Sequence, residues 1–451
     1  MKLRFLPFLL LPLVAKADES AGTTSLTEAM LSPGLWEKSL TGLHELYHSE
    51  EDDSEEAVEL PPELLEKLKE DGIVINAGSF KSEKMEWLSV KQNGLRSEPG
   101  NFTLLDKEIG EVIMRGTPEN LEKVRISLYN RGDDGVIKES EYAELLRSWK
   151  SLLDEHLQVR PRETRMKGIV PTEGWFWVKD DTGYLLEGSV SKSENRAEFL
   201  RLKIEPYVRG GRRKHLAQRT SLPKNVRESD NGDVYIDNIP MVDQGQKGYC
   251  VVSSIERVGL YFGLNVDQHE LAQVAETDER GTTSEDMENA FKKITGKIHV
   301  RTIKVMDYDY KQTVRDVKAY NREAKKQGAK IFEIDFDSQY VIAEGFWQRV
   351  DTDVFKTIKA QENKFDFFQS KVKEFIDRGI PICWTLSLGM FPEKNAGQMW
   401  GGHMRLIHGY NDTTKEIFYT DSWGFGHEIK KMPYIEAWCM TMGMYAMVPT
   451  N

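Results

Sequence analysis

The chain has 451 residues, with 61 Lys or Arg against 73 Asp or Glu, for a formal net charge of -12. This acidic balance argues against general nucleic-acid binding, which relies on clustered basic side chains. The length is typical of two or three domains, and a hydrophobic content of 39% is enough for packed cores rather than a disordered chain. Three cysteines are too few for a disulfide scaffold, and the odd count is compatible with one free, reactive thiol.

Residues 1–17 have the pattern of a cleavable secretory signal peptide. Lys2 and Arg4 precede an apolar run from Phe5 to Val14, and Ala15-Lys16-Ala17 offers a small-x-small cleavage site. The run is too short for a lasting membrane span, and no other stretch approaches the roughly 18 apolar residues that such a helix needs. We therefore expect a secreted or periplasmic protein without a stable membrane span.

Residues 18–60 are expected to form an acidic, poorly ordered segment. Its run Glu50-Glu51-Asp52-Asp53-Ser54-Glu55-Glu56 is most simply a solvated, self-repelling stretch, with an interaction tail as the alternative.

Residues 61–208 have the patterns of a small α+β domain. The predicted elements are helices at 62–68 and 139–157, strands at 112–114 and 123–129, and a hairpin of 175–178 with 184–186 that turns at 180–183. None of these patterns indicates a chemical activity.

One segment of this domain, residues 130–141, contains part of a calcium-binding pattern. Gly135 at the sixth place and Glu141 at the twelfth match an EF-hand loop, but Gly132 offers no side chain at the third ligand position. Such an incomplete loop is more typical of a turn followed by a helix N-terminus, and calcium binding is left open.

A basic, glycine-containing break, Arg209-Gly210-Gly211-Arg212-Arg213-Lys214, predicts a linker over residues 209–232. Residues 233–451 would then form a second domain. Two roles are open for the preceding domain: an inhibitory propeptide removed at the linker, or a permanent module that binds substrate, a partner or a cleft of the second domain.

The second domain places a cysteine at the start of a helix. The glycine-rich turn that begins at Asp243 ends at Cys250, after which apolar residues recur with the spacing of an amphipathic helix. Unpaired backbone N–H groups and the helix dipole favour a thiolate in the first turn. Cys250 is therefore a candidate nucleophile.

Helices dominate the first part of this domain and strands the second. The predicted helices are 250–262, 267–276, 284–293, 310–326 and 366–378, and the predicted strands are 299–306, 381–387, 403–410, 416–421 and 443–448. The stretch 327–365 is expected to be an inserted loop beside a cleft; its Phe346 and Trp347 could shape specificity, although core packing is the favoured role.

A histidine and an acid are brought together by a predicted hairpin. The strand from His403 to Tyr410 is followed by a turn near 412–413, and the returning strand ends at Asp421. Because antiparallel strands pair about their turn, Asp421 should lie opposite residues 403–405. A nucleophile, a base and an orienting acid are the parts that covalent acyl transfer needs.

These residues resemble the papain-like cysteine peptidases. Gln244 lies six residues before Cys250, as the oxyanion-hole glutamine does in that superfamily; His403 opens a strand ending in Gly-Tyr, and Asp421-Ser422-Trp423-Gly424 matches the family's Asn-Ser-Trp-Gly. His403 follows Cys250 by 153 residues, close to the roughly 130–150 typical of papain-type enzymes. The resemblance covers residues 233–451 and implies an α+β, two-lobed catalytic domain with a helical lobe and a β-rich lobe.

Three departures mark a divergent member. Lys247 stands where many papain relatives carry a disulfide cysteine, and Val251 replaces the usual tryptophan. Asp421 replaces asparagine, as in the bacteriocin leader-processing peptidases and the transglutaminases, and its charge should favour a protonated His403. The long helical propeptide motif of the cathepsins is missing, which favours a permanent module for residues 61–208.

The resemblance implies a peptidase acting on protein or peptide substrates without cofactor or metal. Cys250 would attack the carbonyl, His403 held by Asp421 would transfer the proton, and Gln244 with the Cys250 backbone N–H would bind the oxyanion. Trp423 is expected to cover the contact between His403 and Asp421.

Two other classes of function remain open: a transglutaminase-like acyl transferase on the same scaffold, and a non-enzymatic binding protein with a vestigial site. The complete set of four site residues argues against the second. Of the remaining candidates, His408 is expected to be structural, and Cys383 and Cys439 are expected to be buried hydrophobes, with a disulfide between them undecided.

Overall fold

The computed structural model describes residues 24–48, 84–208, 217–277, 281–282, 284–295, 298, 300–307, 310–332 and 346–450. The expected signal peptide, the acidic run after Glu50, the helix at 62–68 and the basic segment 209–214 lie outside these residues. The domain boundaries drawn through them stay predictions.

The N-terminal part is built on an eight-stranded antiparallel sheet. Its strands and those of a small neighbouring sheet are β1 (Thr24–Ser25), β2 (Glu86–Trp87), β3 (Gly94–Ser97), β4 (Phe102–Leu104), β5 (Lys107–Glu108), β6 (Val112–Thr117), β7 (Asn120–Asn130), β8 (Arg162–Lys167), β9 (Pro171–Lys179), β10 (Thr182–Ser191) and β11 (Arg196–Pro206). The helices are α1 (Thr27–Leu31), a 3-10 turn (Leu35–Glu37), α2 (Leu40–Tyr47), α3 (Arg131–Asp134) and α4 (Glu139–Leu157). The large sheet runs β2-β3-β6-β7-β11-β10-β9-β8, and β1, β4 and β5 form the small one.

Helix α4 covers this sheet with one apolar stripe. Tyr142, Leu146, Trp149 and Leu153 recur at helical spacing and are all buried in the N-terminal core. The predicted hairpin is present, with Thr182 of β10 paired to Lys179 of β9.

Residues 24–48 differ from the expectation of a poorly ordered segment. Ser39 caps α2 by accepting a hydrogen bond from the Gly42 N–H at 3.0 Å. Leu40 and Leu43 on that helix are buried in the same core as α4. The acidic run that suggested disorder begins only after this stretch, so its composition says nothing about the apolar residues before it.

The C-terminal part begins with helices and continues with a sheet. The helices are a 3-10 segment (Arg219–Asn225), α5 (Cys250–Tyr261), α6 (Gln268–Ala275), α7 (Ser284–Thr295), α8 (Tyr310–Gln327), α9 (Phe346–Arg349), α10 (Thr352–Lys359), α11 (Asn363–Asp377) and α12 (Tyr434–Met440). The strands are β12 (Val226–Glu228), β13 (Asp233–Ile236), β14 (Val300–Asp307), β15 (Ile382–Leu388), β16 (Gly401–Asn411), β17 (Glu416–Thr420), β18 (Lys430–Pro433) and β19 (Thr441–Pro449).

This part has the α+β architecture that the sequence predicts. An antiparallel sheet runs β12-β13-β16-β15-β19-β14, and β17 pairs with both β16 and β18. Strand β16 pairs with β15 over Gly401–Ile407 and with β17 over Leu406–Asn411, and helix α5 packs against it. The helical half carrying α5 therefore meets the sheet at the strand that begins near His403.

The stretch 327–365 differs from the expected inserted loop where it is described, because α9 and α10 occupy it. Phe346 and Trp347 are buried and make edge contacts with Phe355. Core packing, the favoured role, is therefore what the structure shows. None of the described helices is long and apolar enough to cross a bilayer.

Candidate active site

Cys250 is the first residue of α5. Tyr249 precedes it as the helix N-cap, and Val251, Ile255 and Val258 anchor the helix in the core. The thiol is free and only partly buried. This is the position that the sequence predicts for a nucleophile.

His403 and Asp421 meet at the open end of the hairpin formed by β16 and β17. Leu406 pairs with Thr420 after a bulge next to His408, so Asp421 follows at the level of Arg405, two residues from His403. His403 Nε2 lies 2.9 Å from Asp421 Oδ1, and both side chains are fully buried. An ionised carboxylate can only accept, so Nε2 donates and the ring is held in one orientation.

The imidazole of His403 also interacts with the thiol of Cys250. Burial opposes a charge on the thiol, but the hydrogen bond and charge of His403 and the N–H groups of Met404 and Val251 outweigh it, so the pKa of Cys250 lies below its ordinary value. Burial likewise opposes the imidazolium, but Asp421 and Cys250 raise the pKa of His403 above its ordinary value. The two shifts together favour a thiolate–imidazolium pair.

Arg405, two residues after His403 on β16, is a site residue that the motifs do not reveal. Its Nε donates to Asp421 Oδ1 at 2.8 Å, and its two terminal nitrogens reach the carboxylate of Glu393 at 2.9 and 2.7 Å. Lys430 Nζ lies 3.8 Å from Asp421 Oδ2. Burial alone would raise the pKa of Asp421. The charge of Arg405, followed by the hydrogen bond and charge of His403, outweighs burial and holds the pKa of Asp421 well below its ordinary value.

Arg257 connects helix α5, which begins at Cys250, to the backbone of Asp421. Its Nη1 donates to the Asp421 carbonyl at 2.6 Å, its Nη2 to Thr420 Oγ1 at 2.7 Å and its Nε to the Pro240 carbonyl at 2.9 Å. The side chain is 1% exposed. Sequence motifs do not identify Arg257 or Arg405 as site residues, because a basic residue on an amphipathic helix or strand is usually assigned to the solvent-exposed face.

Gln244 lies at the start of the loop that leads to Cys250. Its backbone N–H donates to the Ser422 carbonyl at 2.9 Å, and its Oε1 accepts from Ser422 Oγ at 2.7 Å. Its Nε2 donates to the Lys247 carbonyl at 3.1 Å. An amide nitrogen has two N–H groups, so one remains for a developing oxyanion.

Trp423 covers the histidine as expected. Its ring stacks on that of His403, with centroids 4.6 Å apart and planes inclined by 18°. His408 has a different neighbourhood: its Nδ1 lies 3.3 Å from the Ile236 carbonyl, and burial lowers its pKa to about 4. His408 is therefore neutral and structural at physiological pH.

The other two cysteines are buried, free thiols. Cys383 and Cys439 are 0% and 1% exposed, and burial raises the pKa of each to about 12. The undecided disulfide is therefore not formed, and neither thiol suits nucleophilic chemistry. Among the described residues, no group of three or more His, Cys, Asp or Glu side chains is arranged to hold a metal ion.

Comparison with known proteins identifies a family that the C-terminal part of the chain matches. Residues 236–444 match the Peptidase_C39 like family. The matched range includes Gln244, Cys250, His403 and Asp421. No curated protein matches the chain. The family match confirms the resemblance to cysteine peptidases that the motifs indicate.

Two solved structures align with the chain at low similarity. Xylellain, a cysteine protease from Xylella fastidiosa, is 12% identical, with 53% of this chain and 91% of that chain covered and a TM-score of 0.27. The peptidase domain of Streptococcus ComA, a bi-functional ABC transporter involved in a quorum-sensing pathway, is 11% identical, with 47% and 99% covered and a TM-score of 0.24. Likenesses this weak carry no argument about substrate or partners.

Proposed function

We propose that this chain, whose residues 236–444 are a divergent member of the papain-like cysteine peptidase superfamily, is an exported peptidase that uses Cys250, His403 and Asp421. The observation that carries the proposal is the position of His403. One ring nitrogen is fixed by Asp421 at 2.9 Å, and the imidazole also interacts with the thiol at the start of α5. Export rests on the signal-peptide pattern of residues 1–17.

The chemistry follows from these groups. The Cys250 thiolate attacks the carbonyl carbon of a peptide bond, and the imidazolium of His403 gives its proton to the leaving amine. A thioester acyl-enzyme results. Water gives a proton to His403 and attacks the thioester, and the Cys250 thiolate is then expelled as the carboxylic acid forms, which restores the thiolate–imidazolium pair.

Charge that develops on the carbonyl oxygen needs donors. The backbone N–H of Cys250 and the free N–H of Gln244 Nε2 are the two donors that this proposal assigns. A single donor of this kind contributes about 3–4 kcal/mol to the transition state in related sites.

The test is alkylation and peptide cleavage by the full chain. Iodoacetamide should label Cys250 alone under native conditions, and Cys250→Ala should abolish cleavage of a peptide library while the thermal unfolding temperature stays within a few degrees. Cys383→Ala is the matched control and should keep full activity. Cleavage that survives in Cys250→Ala would reject the assignment.

The same assay separates hydrolysis from the transglutaminase-like alternative. A primary amine added to the reaction would be incorporated into a glutamine-containing peptide by an acyl transferase, whereas a peptidase releases two shorter peptides. We expect the second outcome.

A further inference from the structure

The loop from Asp243 to Tyr249, here called the nucleophile loop, lies against the N-terminal domain rather than solvent. Lys247 in this loop is only 3% exposed. Its ammonium lies 2.7 Å from Asp133 Oδ2, and Asp133 belongs to α3 of the N-terminal domain. A buried ammonium is costly to desolvate, so the pair must form for the loop to adopt this position.

Further contacts join the same two parts of the chain. Arg96 of β3 lies 3.8 Å from Asp243 Oδ2, and Arg115 of β6 donates to the Met241 carbonyl at 2.7 Å. Tyr249, the residue before the nucleophile, donates from its hydroxyl to Asn130 Oδ1 at 3.3 Å. Both ends of the nucleophile loop are therefore held by side chains from residues 84–208.

A second group of ion pairs lies at the start of the neighbouring helix α6, whose N-cap is Asp267. Arg201 of β11 pairs with Asp267 at 2.8 Å and with Glu270. Arg201 is 1% exposed and Asp267 is 4% exposed. Breaking one partner of a buried pair leaves an uncompensated charge, so this interface resists separation.

The loop geometry connects these contacts to the active site. The Lys247 carbonyl accepts the hydrogen bond from Gln244 Nε2 at 3.1 Å, so the position of Lys247 sets the direction of that amide. Three residues later the chain reaches Cys250. A shift of the Lys247 backbone would therefore move an oxyanion donor and the nucleophile together.

We propose that the N-terminal domain is a permanent part of the active site, and that the ion pair of Asp133 with Lys247 is a positioning device that holds Gln244 and Cys250 in place. The inference rests on the proposed peptidase function. It also gives a role to the start of the incomplete calcium loop, residues 130–141, because the Lys247 ammonium lies beside Asp133 where that pattern would place a metal ion.

The first experiment compares Asp133→Asn, Lys247→Met, the double variant and Lys247→Arg. Each single loss should lower kcat/KM and the alkylation rate of Cys250 by at least about tenfold, because a misplacement of about 1 Å can cost on the order of 10²-fold. The double variant should be no worse than either single one, and Lys247→Arg should recover most of the rate. Glu163→Gln, which breaks the exposed pair with Arg165, is the control.

Several outcomes distinguish the inference from its premise. Folded single variants with the rates of the unaltered chain would overturn the positioning role. Effects of Asp133→Asn and Lys247→Met that multiply in the double variant would also overturn it. An unaltered chain that neither labels at Cys250 nor cleaves peptides would instead overturn the proposed function.

A second experiment does not depend on the variants folding. A specific protease site placed after Lys214 allows the chain to be cut between the two parts after folding. The cut halves should elute together and keep their activity within about twofold. Dissociation accompanied by a rise in activity would show a removable inhibitory propeptide and overturn the inference.

Discussion

Asp421→Asn tests the electrostatics of the site with almost no change in shape. The amide oxygen can still accept from His403 Nε2 and from Arg405 Nε, the two groups that share Asp421 Oδ1 at 2.9 and 2.8 Å. The imidazole of His403 therefore keeps its orientation, while the negative charge at position 421 is lost. Loss of that charge should lower the pKa of His403, so the imidazolium–thiolate pair gives way at a lower pH on the alkaline side.

The size of the shift follows from the hydrogen bond. A bond to a charged group contributes about 1.5–3 kcal/mol and a neutral one about 0.5–1.5, a difference of about 1 kcal/mol. One pKa unit corresponds to about 1.4 kcal/mol, so the pKa of His403 should fall by about 0.5 to 1 unit. Arg405 keeps the shift at the lower end, because it already offsets part of the charge on Asp421.

The pH dependence of kcat/KM measures this change in the pKa of His403. In the unaltered protein the acidic limb reports the thiol and the alkaline limb reports the imidazole. The alkaline limb should move to lower pH in Asp421→Asn, because the imidazolium loses the carboxylate that stabilises it. Glu393→Gln, which alters the other side of Arg405, should move this limb less. An alkaline limb that stays fixed or moves upward would refute the reasoning.

Two stability predictions follow from buried charges. Arg405→Met leaves Asp421 and Glu393 without their shared partner and should lower the free energy of unfolding by about 3–5 kcal/mol in a urea titration; a loss below 1 kcal/mol would contradict it. Glu187 is buried, which alone would raise its pKa, but Arg201 and Lys203 lower it to about 2. Its stabilisation is complete above the unfolded pKa of about 4.3 and is lost as pH falls towards about 2, so Glu187→Gln should flatten the acid-unfolding curve between these values. Parallel curves for the two proteins would contradict this.

The parts of the site that sequence predicts are local in the chain. The turn before Cys250 and the spacing after it define a helix start, and the hairpin fixes His403 and Asp421 relative to each other. Each depends on contacts between near neighbours in sequence. The prediction that Cys250 lies beside His403, 153 residues later, came from the family resemblance, since no local pattern contains that contact.

The parts that sequence does not predict depend on distant partners. Arg405 matters because Glu393 comes from the connection between β15 and β16, and Arg257 matters because the Asp421 carbonyl lies beside it. Burial, not residue type, makes these side chains important. Lys247 is a further example. The sequence shows that a lysine stands where many papain relatives have a disulfide cysteine. It does not show that this lysine pairs with Asp133, 114 positions earlier.

Gly132 leads to a further prediction about the contact between the N-terminal and C-terminal parts of the chain. It was the residue that weakened the calcium pattern, and the structure explains its small size: a Cβ there would lie 2.6 Å from the Tyr249 hydroxyl and 2.8 Å from the adjacent ring carbon. Gly132→Ala should push the Tyr249 ring and with it the N-terminus of α5. We expect a loss of about 1–3 kcal/mol in stability, as for overpacked cores, together with slower alkylation of Cys250.

The control for this prediction is Gly135→Ala, three residues along, where a Cβ would meet nothing within 4 Å. Because Gly135 has a φ of +77°, that change strains the backbone and lowers stability, but it does not touch Tyr249. Stability alone therefore does not separate the two variants, and the alkylation rate does. Equal alkylation rates in Gly132→Ala and Gly135→Ala would mean that a displacement of Tyr249 does not move Cys250. The N-terminal part would then support the fold without positioning the nucleophile.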